Sequence, residues 1–483
     1  MVVLTLLGSV VIDACIRPFR KGRYLPLRVP WAILLQSLAT ASAFAALLGL
    51  SGNPVLAGVF VLAFHVLLMV VSNAKRRMLG EPLLFSDLAL VGGIFRHPQF
   101  YLSALPTWQK LVGGVVLVAL LGGFVWSFHW APQQHVAGAA SFVLALALLL
   151  GCCRLAPVRA LVTQPRHQAD VGEIGLVPSL LLYWLRWRSS AGAIPARVPE
   201  QAADFGVDLI VAVQCESFAD PVALFGAEGE ALPFLEQARA QAVQWGNLLV
   251  SGFGAYTMRT EYGVLFGREE EELGFRRYDP FLTALDDVAF ALPRRLGTDR
   301  WRSVFVHPHD MRFYSRHRIL PEAGFADLVS DEEFEQPGPG EGRYVSDAAV
   351  ADKILDLAAR ADAPSFFYAV TMENHGPWSG KGRAAGQSLQ SNYRQLVAAG
   401  DAMLGTLRDG LREIGKPALL VFFGDHRPSI PGASMPGGAR HTPYVILRIE
   451  ADGSVQGDGA NRANITPAQL HHTILHLARG APQ

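Results

Sequence analysis

Residues 207–218 read VDLIVAVQCESF, a short apolar run that breaks off into Gln214, Cys215, Glu216 and Ser217. Three later runs end the same way. Residues 303–306 (SVFV) lead into His307-Pro308-His309-Asp310, 365–371 (SFFYAVT) into Glu373-Asn374-His375, and 418–423 (ALLVFF) into Gly424-Asp425-His426. Between them lie Ala/Leu/Glu/Arg-rich helical stretches, and that alternation predicts an α/β domain with a mostly parallel sheet flanked by helices. Ligands of such sheets bind beyond the carboxyl ends of the strands, where these polar clusters would converge. Glu, Asp and His supply oxygen and nitrogen ligands for Mn²⁺, Mg²⁺ or Zn²⁺. A divalent ion held by Glu216, Asp425 and His426 is therefore expected.

Such an ion needs a nucleophile to activate. Residues 251–262 (SGFGAYTMRTEY) bear glycines and hydroxyls and open a helical stretch with Glu261 near its start. A hydroxyl at a helix N-terminus sits where backbone N–H groups stabilise an anion. Beside a divalent cation it loses its proton more easily and can attack phosphorus or sulfur. Residue chemistry alone leaves Ser251, Thr257 and Thr260 equally eligible.

The 483 residues carry 42 Lys+Arg and 42 Asp+Glu, yet the zero balance hides two unlike halves. Residues 1–199 hold 16 basic and 5 acidic side chains, a net of +11, leaving 26 and 37, a net of −11, for 200–483. Only 17% of residues are charged and mean hydropathy is +0.25, which excludes a disordered or wholly soluble chain. Four cysteines exclude a disulfide scaffold, and zero net charge gives no support to nucleic-acid binding.

The apolar excess is concentrated early. Residues 31–50 with 54–72, and 111–130 with 137–153, read as two transmembrane hairpins, and 1–16, carrying Asp13, as a weaker fifth segment. Residues 172–187 suit an interfacial helix or a further crossing, and 83–95 a re-entrant or spanning stretch. The expected organisation is transmembrane helices over 1–160, a juxtamembrane linker with an interfacial helix over 161–204, and a catalytic domain over 205–483. Basic residues at 17–28, 75–77 and 154–166 would all face the cytoplasm, which with five crossings puts residue 483 there too. His65 reads as a packed residue, and His471 and His472 in PAQLHHTILHL as helix-face residues.

QCESF, TMRTEYGVLFG, HPHDMRFYSR, TMENHGPW and FFGDHRP, in this order, resemble motifs of the lipoteichoic acid synthase and phosphoglycerol transferase family, in the alkaline phosphatase and sulfatase superfamily. The resemblance covers about 205–475 and extends loosely to EPLLFSD (81–87). It implies that Glu216, Thr257, Asp425 and His426 hold the metal, Mn²⁺ first, with Thr257 also the nucleophile. It implies that His375 lies near the scissile phosphate, and that Tyr314 and Arg316, in FYSR, hold a glycerophosphate with His307 and His309. Tyr314 stands where the synthases have Trp, and His309 where they have an acidic residue.

The implied function is a membrane-anchored phosphoglycerol transferase with a phospho-threonine intermediate. Its donor would be phosphatidylglycerol, its acceptor a glycan or polyglycerophosphate, and its lipid product diacylglycerol. The resemblance places it in the bacterial cytoplasmic (inner) membrane, multi-pass, with the catalytic domain outside, against the charge rule unless one more crossing exists. A formylglycine sulfatase needs a C/S-x-P-x-R segment, and none occurs. A phosphoethanolamine transferase would carry several disulfides, whereas Cys215 is the only cysteine after residue 200. A phosphodiesterase shares the intermediate, and a non-enzymatic membrane sensor would lack ligands.

Overall fold

The computed structural model describes residues 1–16, 28–89, 107–190, 205–226, 229–283, 285–338, 342–378 and 388–479. It divides into two units, Met1–Ala191 and Gly192–Gln483.

In the first unit, three described helices are long and apolar enough to cross a membrane: Pro30–Ser51, Pro54–Leu79 and Pro132–Arg154. They coincide with the expected spans 31–50, 54–72 and 137–153. The expected span 111–130 is the helix Thr107–Trp126, whose apolar part Leu111–Trp126 falls short of that length, as does Val2–Ala14. Gly52, at φ 64°, lets the first hairpin reverse, and Asn53 caps the second helix by accepting from the Val55 and Leu56 N–H groups. Asp13, the charge in the weak first segment, is satisfied: one oxygen meets the Arg28 guanidinium at 2.8 Å, and the other accepts from Leu176 N–H at 2.9 Å. That N–H starts the helix Leu176–Ser189, so Asp13 caps it across more than 160 residues of sequence. Within 83–95 the described part is the short helix Phe85–Ala89; residues 90–95 lie outside the described residues. His65 is buried and its Nδ1 donates to the Val61 carbonyl at 2.8 Å.

The second unit is built on one sheet. Its strands are β1 (Leu209–Cys215), β2 (Gln244–Leu248), β3 (Arg302–Val306), β4 (Asp327–Val329), β5 (Ser365–Val370), β6 (Ala418–Gly424), β7 (Thr442–Ile449) and β8 (Val455–Gln456). The order is β2-β7-β6-β1-β5-β3-β4, with β8 also on β7. The central run β6-β1-β5-β3-β4 is parallel, and β7 pairs antiparallel with β2, β6 and β8. The four runs singled out in the sequence are thus four adjacent parallel strands, β6, β1, β5 and β3, whose carboxyl ends open on one edge.

These strands are apolar throughout because both faces are covered. Ile210, Ala212, Phe366, Tyr368, Leu419 and Val421 pack on one side with the helices Thr257–Phe266 and Pro467–Ala478. Leu209, Val211, Val213, Phe367, Leu420 and Phe422 pack on the other with Asp347–Arg360 and Leu389–Ile414. The alternation of neighbours between faces is the period-2 geometry of a strand.

His471 locks Pro467–Ala478 to the helix Thr257–Phe266. It is 0% exposed, its Nδ1 donates to the Val264 carbonyl at 2.9 Å, and Nε2 has no hydrogen-bond partner. Burial, helped by His472, pushes its pKa down to about 3. The unfolded chain takes up this proton near pH 6.5 and the folded chain only near 3, so stability is lost as pH falls through that window. The loss is about 1.4 kcal/mol per pH unit, or about 2 kcal/mol at pH 5. Urea titrations at pH 7 and pH 5 should show this difference shrinking by that amount in His471→Gln; an unchanged pH slope would exclude His471 as its source.

Candidate active site

Glu216 follows the last residue of β1, and Asp425 and His426 follow the last residue of β6, the neighbouring strand. The turn after β1 can reach them because position 424 has no side chain: a Cβ on Gly424 would lie 1.9 Å from the Phe218 carbonyl oxygen. Glu216, Asp425 and His426 are all buried, and one ligating atom from each lies within 4.8 Å of the others. Nε2 of His426 is 3.5 Å from both Oε1 of Glu216 and Oδ2 of Asp425.

Asp425 shows what the cluster lacks. Its Oδ1 accepts from the N–H groups of Ser217 and His426, each at 2.8 Å, whereas its Oδ2 is buried without a hydrogen-bond partner. Burial, then the neighbouring Glu216 charge, raises its pKa to about 7. A buried carboxylate oxygen left unpaired costs several kcal/mol, and a divalent cation would repair it. Two carboxylates, an imidazole and an adjacent hydroxyl suit Mn²⁺, Mg²⁺ or Zn²⁺.

The hydroxyl is Thr257, first residue of the helix Thr257–Phe266, with Oγ1 3.5 Å from Oε2 of Glu216. The rival hydroxyls are otherwise engaged: Thr260 donates to the Asp425 carbonyl at 2.8 Å, and Ser251 donates to the Glu270 carboxylate. Thr257 also sits at the positive end of the helix dipole, where an attacked phosphoryl group would gain stabilisation.

The described non-glycine residues with left-handed backbone are Ser217, Tyr256, Tyr314 and Ser315, at φ 51°, 80°, 57° and 58°. Three border a candidate site residue, Ser217 after Glu216, Tyr256 before Thr257 and Ser315 before Arg316, and the fourth, Tyr314, is itself a candidate. Such conformations cost about 1–3 kcal/mol each, and they persist where surrounding packing dictates them.

A second cluster holds Arg316, His307, Tyr314 and His309. Arg316 is 1% exposed and engages Glu261 through both carboxylate oxygens, at 3.0 and 2.6 Å. Burial disfavours its charge, but Glu261 outweighs that and leaves the pKa above its ordinary value. Its third donor reaches Nε2 of His307 at 3.1 Å, and Nδ1 of His307 donates to the Val370 carbonyl at 2.8 Å. Burial, then the Arg316 charge, holds the His307 pKa well below its ordinary value, so the ring is neutral. His309 and Tyr314 are half-buried; the His309 ring lies 5.9 Å from His307, and Arg316 lies 5.1 Å from the Tyr314 ring. His375 follows β5, with Nδ1 donating to the Gly376 carbonyl at 2.8 Å.

Sequence reading singled out Glu216, Asp425 and His426, which the structure brings together, but left two groups unassigned. Glu261 carries a visible signal, since it lies four residues after Thr257 and so on the same helix face. Tyr344 carries none: it comes from a loop, packs edge-on to His375 at 5.6 Å, and feels the charge of Glu216.

Comparison with known proteins adds the lineage. The family model "Sulfatase" matches residues 208–481, a span that includes all eight strands of the sheet. The capsular polysaccharide biosynthesis protein RkpI of Rhizobium meliloti is 28% identical over 464 residues, 90% of this chain and 86% of that protein. A putative cyclic beta-1,2-glucan modification protein of the same organism is 24% identical over 313 residues, 59% of this chain and 48% of that one. Among solved structures, the lipoteichoic acid synthase LtaP from Listeria monocytogenes superposes with a TM-score of 0.45 at 17% identity, over 61% of this chain and 77% of that one.

Proposed function

The chain belongs to the sulfatase family, and on that premise we propose that it is a membrane-anchored phosphoglycerol transferase. It moves glycerophosphate from phosphatidylglycerol to a glycan through a phosphate ester on Thr257, and it releases diacylglycerol. The observation that carries the proposal is the hydroxyl of Thr257, at a helix N-terminus and facing Glu216. That hydroxyl stands in the role that formylglycine plays in a sulfatase.

Glu216, Asp425, His426 and Thr257 would hold a divalent cation, Mn²⁺ first, which when bound lowers the pKa of the hydroxyl and neutralises phosphoryl charge. The protein's own groups do the rest. Thr257 Oγ1, its proton directed at Oε2 of Glu216, attacks phosphorus as the bond to the diacylglycerol oxygen breaks. Nδ1 of His375 is committed to a carbonyl, so its proton exchange runs through Nε2. From there it protonates the departing oxygen and later takes the proton of the acceptor hydroxyl, which attacks the same phosphorus and frees Thr257.

The spanning helices hold the reaction beside its lipid donor and receive the lipid product. The multi-pass anchor belongs in the bacterial cytoplasmic membrane with the catalytic unit outside, where glycan acceptors are. The names of the two Rhizobium meliloti relatives favour a capsular polysaccharide or cyclic glucan over a polyglycerophosphate chain. The test is the full chain in vesicles containing headgroup-labelled phosphatidylglycerol, Mn²⁺ and a cyclic glucan. Diacylglycerol should form in step with labelled glucan. Labelled free glycerophosphate instead would make the protein a phosphodiesterase, and no diacylglycerol would reject the donor.

A further inference from the structure

Glu261 has no place in the chemistry above, yet it is 0% exposed and binds the most buried cation of the second cluster. Every hydrogen bond leading away from it has a fixed direction. Both its oxygens accept from Arg316, which also donates to Nε2 of His307. Accepting there leaves the His307 proton on Nδ1, which donates to the carbonyl of Val370, the last residue of β5. Glu261, Arg316, His307 and Val370 are all 2% exposed or less. The chain therefore starts on the helix that carries Thr257, one turn away, and ends on the strand that leads to His375.

We propose that Glu261 is a positioning residue that fixes Arg316 and, through it, the tautomer of His307, so that the Thr257 helix and the loops after β3 and β5 hold one arrangement. His307 in this role supports the site from behind, since both its nitrogens are used inside the protein. Arg316 can offer an anionic substrate only the N–H groups that Glu261 and His307 leave over. A buried bidentate pair serves this better than a surface pair, because neither partner can be satisfied by water. Small displacements of reacting groups are costly in rate, which is what such a brace prevents.

This inference rests on the transferase reading for its rate measurement but not for its second readout. Glu261→Gln keeps the shape and removes the charge. In the full chain, ¹⁵N-histidine spectra should show His307 of the natural protein as the Nδ1–H tautomer, not titrating between pH 5 and 8. In Glu261→Gln that signature should be lost, with kcat at least about tenfold lower and Mn²⁺ affinity within about threefold. If the variant does not fold, Glu261→Gln/Arg316→Met leaves no orphaned buried charge, and its His307 signature and Mn²⁺ affinity are read in its place. An unchanged His307 signature, a smaller loss of kcat, or loss of Mn²⁺ binding would each overturn the proposal. Should the natural protein fail to use phosphatidylglycerol, the donor assignment falls and the His307 signature alone decides the role of Glu261.

Discussion

Replacing Thr257 by alanine should lower phosphatidylglycerol turnover by about 10⁴-fold or more and abolish any covalent intermediate, while the protein remains folded. The size follows from the role: a nucleophile removed from a two-step transfer leaves only binding and electrostatics to act on the donor. The contrast that makes the result specific is Thr260→Val. Thr260 donates to the Asp425 carbonyl and points into the fold, so its loss should cost about 1 kcal/mol of stability and leave the intermediate intact. Equal losses in both variants would mean that the two hydroxyls act only through packing of the helix. The measurement is release of diacylglycerol from labelled donor, beside thermal unfolding of each variant.

Asp425→Asn should cost about 10³-fold in turnover, with an opposite effect on the protein alone. With Mn²⁺ at a hundred times its Kd, the natural protein should gain about 2.7 kcal/mol of stability, and the variant little. Stripped of metal by a chelator, the variant should be the more stable of the two, because it no longer buries an unpartnered carboxylate oxygen beside Glu216. Calorimetry with and without Mn²⁺ reads both signs. A metal-free variant less stable than the metal-free natural protein would show that Asp425 is held by protein partners rather than waiting for a cation.

The strand-end clusters were legible because a buried parallel strand must be apolar on both faces, so the polar residue that ends it stands out. Glu216, Asp425 and His426 stood out for that reason, and they converge because β1 and β6 are parallel neighbours. Choosing Thr257 over Thr260 took either family resemblance or coordinates, since both hydroxyls lie at the helix start and only their partners differ. His307, His309, Tyr314 and Arg316 were readable as a group after β3, but their division of labour was not. Whether Arg316 faces a ligand or a carboxylate depends on Glu261, 55 residues earlier in the sequence, and no local pattern encodes that pairing. Tyr344 was invisible for the same reason. In the first unit, the apolar runs 31–50, 54–72 and 137–153 pointed to the long helices Pro30–Ser51, Pro54–Leu79 and Pro132–Arg154, but the pairing of Asp13 with Arg28 and Leu176 arises only in three dimensions.

The most direct measurement is to mix the full chain with headgroup-labelled phosphatidylglycerol and Mn²⁺ without acceptor, denature it within the first turnover, and map the label by peptide mass spectrometry. The predicted result is a glycerophosphate adduct on Thr257, absent from Thr257→Ala and discharged when glucan is added before denaturation. Multiple turnovers with an unmodified Thr257, or an adduct on another residue, would contradict it.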